Sequence, residues 1–190
     1  KHSLEEAIVP APGGFSALLA GSGLVEYSRL TPEVRSRLLA VIDRVRSRFD
    51  HVLLDTGAGI SDVVLYTISL ADEVIVVATP EPTSLTDAYA TIKVLASLQQ
   101  RHELQLVVNQ VARVGDGRAV RGQLQQVVDR YVSPALETPV TLSWLGDVPS
   151  DSAVREAVRK RQLTMECFPG SAAAQAIAAV AQRMVEAAPA

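Results

Sequence analysis

Asp55 closes a short apolar run, Val52-Leu53-Leu54, and Gly57 and Gly59 follow it directly. A buried parallel strand that carries an acid to the C-terminal edge of a sheet has this pattern, with a loop whose backbone can approach a ligand closely. Such a carboxylate can hold a Mg²⁺-bound water, because Mg²⁺ prefers hard oxygen ligands and keeps several waters. The same residues also suit an Asp that merely caps the next helix after a Gly-rich turn. Periodicity alone leaves both readings open.

Two further strand ends carry groups of interest. Asn109 ends the apolar run Leu104–Asn109 and offers two donors and an acceptor, enough to read the edge of a base; a plain strand-end turn residue looks the same. Pro149 and Asp151 lie in the turn Asp147-Val148-Pro149-Ser150-Asp151. Ligands of open α/β sheets bind beyond the C-terminal strand ends, where all of these residues fall.

Other reactive side chains find no partners in the sequence. His2, His51 and His102 have no Cys or acid at metal-ligand spacing. Ser61 and Ser84 have no placed His to activate them. Cys167, beside Phe168 and Pro169, reads as a small semi-buried residue. Gly115-Asp116-Gly117 reads as a flexible loop, since no Lys-Ser/Thr follows. The phosphate-cradling pattern G-x-x-x-x-G-K-[ST] occurs nowhere in the 190 residues.

These residues need a scaffold, and hydrophobic periodicity supplies one. Short β-branched runs alternate with longer helical patterns. Strands are expected at Phe15–Ala20, closing on Gly21-Ser22-Gly23, and at His51–Thr56, Glu73–Thr79, Leu104–Asn109 and Val140–Leu145. Thr31-Pro32-Glu33 is a helix start, with Thr as N-cap and Pro at the first position. Further helices are expected over about 61–71, from a Thr83 or Ser84 cap to about Gln100, over about 118–136, from Asp151 to near Arg161, and over about 171–187. Arg35, Arg37, Arg44, Arg46 and Arg48 read as the solvated side of an amphipathic helix. Strands separated by helices predict an α/β fold: one doubly wound, mostly parallel sheet with helices on both faces, residues 1–190 forming a single domain.

Composition bounds the partners. The chain has 48% hydrophobic and 21% charged residues and a net charge of −3, with no basic block, so direct nucleic-acid binding is not expected. One cysteine cannot form an intrachain disulfide and fits a reducing, cytoplasmic setting. No apolar run reaches the roughly 18 to 20 residues of a membrane helix.

Leu54-Asp55-Thr56-Gly57-Ala58-Gly59-Ile60-Ser61 resembles the second switch segment, D-[ST]-x-A-G, of the MinD/ParA ATPases. The run from Ala71 through Thr79-Pro80-Glu81-Pro82-Thr83-Ser84-Leu85-Thr86-Asp87-Ala88-Tyr89 resembles the branch of that family formed by the flagellar-number regulators (FlhG, also called FleN). Val107-Val108-Asn109 is similar to the family's adenine-contacting strand end, and Val148-Pro149-Ser150-Asp151 to its later P-x-D loop. Gln110 departs from the Arg that many relatives carry after the Asn. The resemblance covers about Ser3 to Val185.

The resemblance implies a P-loop NTPase fold and a homodimer that binds ATP and Mg²⁺ and separates after hydrolysis. Asp55 would organise the Mg²⁺ hydration shell, and the Gly59 backbone N–H would meet the γ-phosphate. Asn109, Pro149 and Asp151 would flank the base. Partners would be an FlhF-type GTPase, a flagellar transcriptional activator or switch proteins, in the cytoplasm or peripherally at the membrane or pole. The family's first strand, its deviant phosphate loop and its first-switch aspartate would all precede Lys1. The chain is therefore expected to be an N-terminally truncated piece that binds ATP poorly, is inactive as given, and is marginal as a monomer. Alternatives are a non-hydrolysing remnant acting through protein partners, or a ParA-type partitioning ATPase. The C-terminal helix, with Arg183 as its lone cation, does not support a membrane anchor.

Overall fold

The computed structural model describes residues 4–19, 30–113 and 115–187. The expected Ala20 strand end, Gly21-Ser22-Gly23, His2 and Val114 lie outside them. The chain forms two compact units, Lys1–Ala71 and Asp72–Ala190.

In the first unit, α1 (Leu4–Ala7) leads into an antiparallel pair, β1 (Ile8–Pro10) and β2 (Ser16–Leu18). Gly13 and Gly14, both at φ +83°, make the reversal that an L side chain would resist. The expected strand at Phe15 is thus a hairpin arm. Helix α2 (Pro32–Arg46) starts as its sequence dictates: the Val34 N–H donates to the Thr31 hydroxyl at 3.4 Å, with Pro32 at the first position. Helix α3 (Asp62–Ser69) is capped in the same way by Ser61. The guanidinium of Arg35 lies 5.2 Å over the Tyr66 ring, and the Tyr66 hydroxyl donates to the Arg35 carbonyl at 3.2 Å, joining the two helices. The strand expected over His51–Thr56 does not form: residues 51–56 carry no ladder pairing among the described residues. Val52, Leu54 and Thr56 are half-buried while Leu53 and Asp55 are exposed, the period-two alternation of an extended chain.

The second unit holds a parallel sheet, β3 (Ile75–Ala78), β4 (Glu103–Val111) and β5 (Thr141–Pro149), in the order β3-β4-β5. Successive residues face opposite layers except at the register shift in β5, where Leu145 and Gly146 both lie toward one helix layer. Val107, Leu145 and Val148 pack with Ala173, Val154 and Val180, from α6 (Ser152–Lys160) and α8 (Ala172–Ala187). Leu104, Leu106 and Val108 are buried on the other side, toward α4 (Pro82–Gln99) and α5 (Gly117–Tyr131). Gly146 lets α8 lie close: a Cβ there would meet Val180 Cγ2 at 2.6 Å. The Arg183 guanidinium donates to the Leu145 carbonyl at 2.7 Å beside it.

On the outer edge of β5, Gln125 of α5 accepts from the Leu142 N–H at 2.7 Å and donates to the Val140 carbonyl at 2.8 Å. A helix side chain thereby satisfies groups that an edge strand would leave open.

Other details also differ from expectation, among them β4, which runs past Asn109 to Val111. Helix α4 begins at Pro82 with Glu81 as N-cap, and the Ser84 hydroxyl instead accepts from the Thr79 N–H at 2.9 Å, tightening the turn after β3. Strand β5 runs on to Pro149, because pairing with the long β4 outweighs the turn character of Asp147-Val148-Pro149. Helix α5 stops at Tyr131, and a 3₁₀ turn over Ser133–Ala135, set by Pro134, replaces its last turn. A short helix, α7 (Thr164–Cys167), follows α6.

Candidate functional site

Asn109 and Pro149 are brought together at the C-terminal ends of adjacent parallel strands. Asn109 faces Val148 in register, and Val111 faces Pro149. Between them Gln110 takes a left-handed conformation at φ +58°, and its N–H donates to the Asn109 side-chain oxygen at 2.9 Å. This bulge breaks the ladder at the point where the strand should end. The Ser150 N–H donates to the Val111 carbonyl at 2.9 Å, extending the strand contact one residue further.

Asp151 faces two helix starts. One carboxylate oxygen accepts from the Ala153 N–H at 2.8 Å, at the start of α6. The other accepts from the Ala173 N–H at 3.1 Å, at the start of α8. The Ala153 N–H first, then that of Ala173, holds its pKa below the ordinary aspartate value, with Ala172 and Arg155 adding to the effect. The carboxylate is thus engaged by backbone donors, and it fixes the β5–α6 turn that carries Pro149.

Asp55 and Gly59 belong to the first unit. Asp55 is exposed at the end of the extended run, and Gly59 sits at φ +93°. A Cβ at Gly57 or Gly59 would meet no atom within 4 Å, so the space beside this backbone is open. An exposed carboxylate beside an open Gly-rich backbone fits a hydrated Mg²⁺ and a phosphate. No group of three or more His, Cys, Asp or Glu among the described residues could cage a metal unaided. Mg²⁺ here would need oxygens from nucleotide and water, as its coordination habit allows. His51 and His102 join no such group either. Cys167 lies near Gln162, with Sγ 3.1 Å from its side-chain oxygen.

One residue at this end escaped the sequence reading. Asp147 is the buried acid among the described residues, 7% exposed, at the C-terminal end of β5. Its carboxylate accepts from the N–H groups of Gly115 and Gly117. The available signal was an acid inside an otherwise apolar run, Trp144-Leu145-Gly146-Asp147-Val148.

No protein-family model matches the chain. Among curated proteins it is 34% identical over 181 residues to the antiactivator FleN of Pseudomonas aeruginosa, covering 95% of this chain and 62% of FleN. The chain is a homologue of FleN. It is also 33% identical over 141 residues to the flagellum site-determining protein YlxH of Helicobacter pylori, covering 74% of this chain and 46% of YlxH. The chain thus spans less than two thirds of the length of the flagellar relatives it matches.

Solved structures agree on the fold. The cell division ATPase MinD of Pyrococcus furiosus matches with a TM-score of 0.68 at 21% identity, over 97% of this chain and 71% of that one. The ParA family ATPase of Chlorobium tepidum matches with a TM-score of 0.65 at 16% identity, over 95% and 67%. MinD of Pyrococcus horikoshii, solved in complex with Mg-ADP, matches with a TM-score of 0.62 at 23% identity, over 96% and 69%. The α/β fold is that of the MinD/ParA ATPases.

Proposed function

We propose that the protein is an FlhG-like, ATP-binding regulator of flagellar number and placement that switches by ATP-dependent dimerisation. The observation that carries this reading is the 34% identity with FleN across 95% of the chain. In that role Asp55 holds a Mg²⁺-bound water, and the Gly59 N–H answers to the terminal phosphate. Asn109 and Pro149 read the base, and Asp151 fixes the turn that presents Pro149. Bound Mg²⁺ supplies charge neutralisation for the phosphates. Gly59 suits a switch because its positive φ and open surroundings let the segment change conformation when a phosphate contact is lost. The dimer would act through flagellar protein partners, such as an FlhF-type GTPase, a transcriptional activator or switch proteins. It would do so in the cytoplasm or peripherally at the membrane or pole; no helix among the described residues is long and apolar enough to cross a membrane.

The test is calorimetry with ATP·Mg²⁺ on the protein expressed from its complete gene and on the 190-residue chain. Micromolar or tighter binding is expected for the former. Weak binding is expected for the latter, because these residues contain no phosphate-loop lysine pattern. A complete gene product that ignores ATP overturns the nucleotide switch and favours a remnant that works by protein contacts alone.

A further inference from the structure

Asp147 has no part in the reading above, yet it is an unusual residue to find buried. A carboxylate taken out of water is costly unless donors replace its hydration. Here the donors are two backbone N–H groups at the beginning of α5, the Gly117 N–H at 3.3 Å and the Gly115 N–H closer still. Helix α5 has no local cap: Asp116, at its N-cap position, is helical in conformation and its side chain makes no capping bond to α5. A charge from the neighbouring strand takes that place, where exposed N–H groups and the helix dipole favour an anion.

The packing is tight on the same spot. A Cβ on Gly117 would lie 2.8 Å from Trp144 Cη2, 2.9 Å from Asp147 Cβ and 3.0 Å from Val108 Cβ. Val108 is the register partner of Asp147, and the next pair up the ladder is Asn109 with Val148. Pro149 follows Val148 directly. The start of α5 therefore bears on Val108, which immediately precedes Asn109, and on Asp147, two residues before Pro149. Asp116 adds a second tie, accepting from the Arg113 N–H at 3.0 Å.

We propose that Asp147 is a positioning residue for base recognition, its buried carboxylate latching the start of α5 against β4 and β5 so that Asn109 and Pro149 are held in register. This inference rests on the proposed nucleotide-binding function. It makes the latch act on the base and not on the phosphates, which other segments hold.

The experiment compares wild type, Asp147→Asn and Asp116→Ala, each expressed from the complete gene. Calorimetry is run with ATP·Mg²⁺ and with inorganic triphosphate·Mg²⁺, and amide exchange is followed at Gly115 and Gly117. For Asp147→Asn the expected result is faster exchange at both glycines and roughly tenfold weaker ATP binding, the size of one lost charge-assisted hydrogen bond. Triphosphate binding should stay unchanged, which a general loss of structure would not produce. Asp116→Ala, an exposed change, should give a smaller loss of the same base-dependent kind, and it carries the test if Asp147→Asn does not fold. Equal losses for ATP and triphosphate, or unchanged ATP binding with faster exchange, overturn the positioning role. A wild-type protein that binds neither ligand overturns the proposed function itself, and with it the positioning role, leaving Asp147 a structural cap.

Discussion

Single atoms decide two positions of this chain, in opposite ways. At Gly117 there is no room: three side-chain atoms of strand residues stand within 3.0 Å of where a Cβ would go, and two of them are Cβ atoms that cannot swing away. Gly117→Ala should destabilise the second unit by roughly 1 to 3 kcal/mol, as overpacking does in well-filled cores. Denaturant melts followed by Trp144, the chain's one tryptophan, would read this directly. At Gly57 and Gly59 the surroundings are open, so packing is not what asks for glycine there; at Gly59 the positive φ does. Asp55 beside them is exposed and stands apart from any acidic cluster. Asp55→Asn in the complete gene product should leave the melting temperature unchanged while weakening ATP binding in Mg²⁺ roughly tenfold or more, with little change when Mg²⁺ is withheld. Equal losses with and without the metal would remove Asp55 from the Mg²⁺ site.

Helix termini dominate the next scale. Thr31 and Ser61 cap α2 and α3 locally, as Thr-Pro-Glu and Ser-Asp announce in the sequence. Thr31→Ala should cost about 1 kcal/mol in the first unit. Asp151 does more, since one carboxylate serves the starts of α6 and α8 together. Its folded pKa lies below the ordinary value, and the sign follows from that. The stabilisation is fully present above the unfolded-state pKa of about 3.9 and is lost as pH falls through the lower folded value. Asp151→Asn should therefore melt at a lower temperature than wild type at neutral pH, and the gap should close on acidification below about pH 4. A gap that persists at low pH would show that the charge is not what the two helices use. The first of these partners is legible, because Asp-Ser-Ala at a helix start is a local signal. The second lies 22 residues away and depends on how α8 docks.

Across the molecule, homology and fold converge on the MinD/ParA ATPases, with FleN and YlxH as flagellar relatives. The proposed switch makes a prediction at this scale. Light scattering on the complete gene product should show a dimer with a slowly hydrolysed ATP analogue and Mg²⁺ and a monomer with ADP. A nucleotide-independent mass would dismiss dimerisation as the switch. The sequence by itself ended β4 at Asn109, two residues short of Val111. It determined most of the alternation of strands and helices, though not the absence of a paired strand over residues 51–56, together with the local caps of α2 and α3 and the family resemblance around Asp55 and Thr79–Tyr89. All of these rest on side-chain periodicity or on interactions within a few residues. It did not determine that β5 runs on to Pro149, that Gln110 makes a left-handed bulge, or that Asp147 caps α5. Those depend on pairing and packing partners far apart in the chain: the length of β4, the fit of Gly117 against Trp144, and two amides waiting 30 and 32 residues from one buried carboxylate. A buried charge is settled by what surrounds it, and only the tertiary structure brings those donors to Asp147.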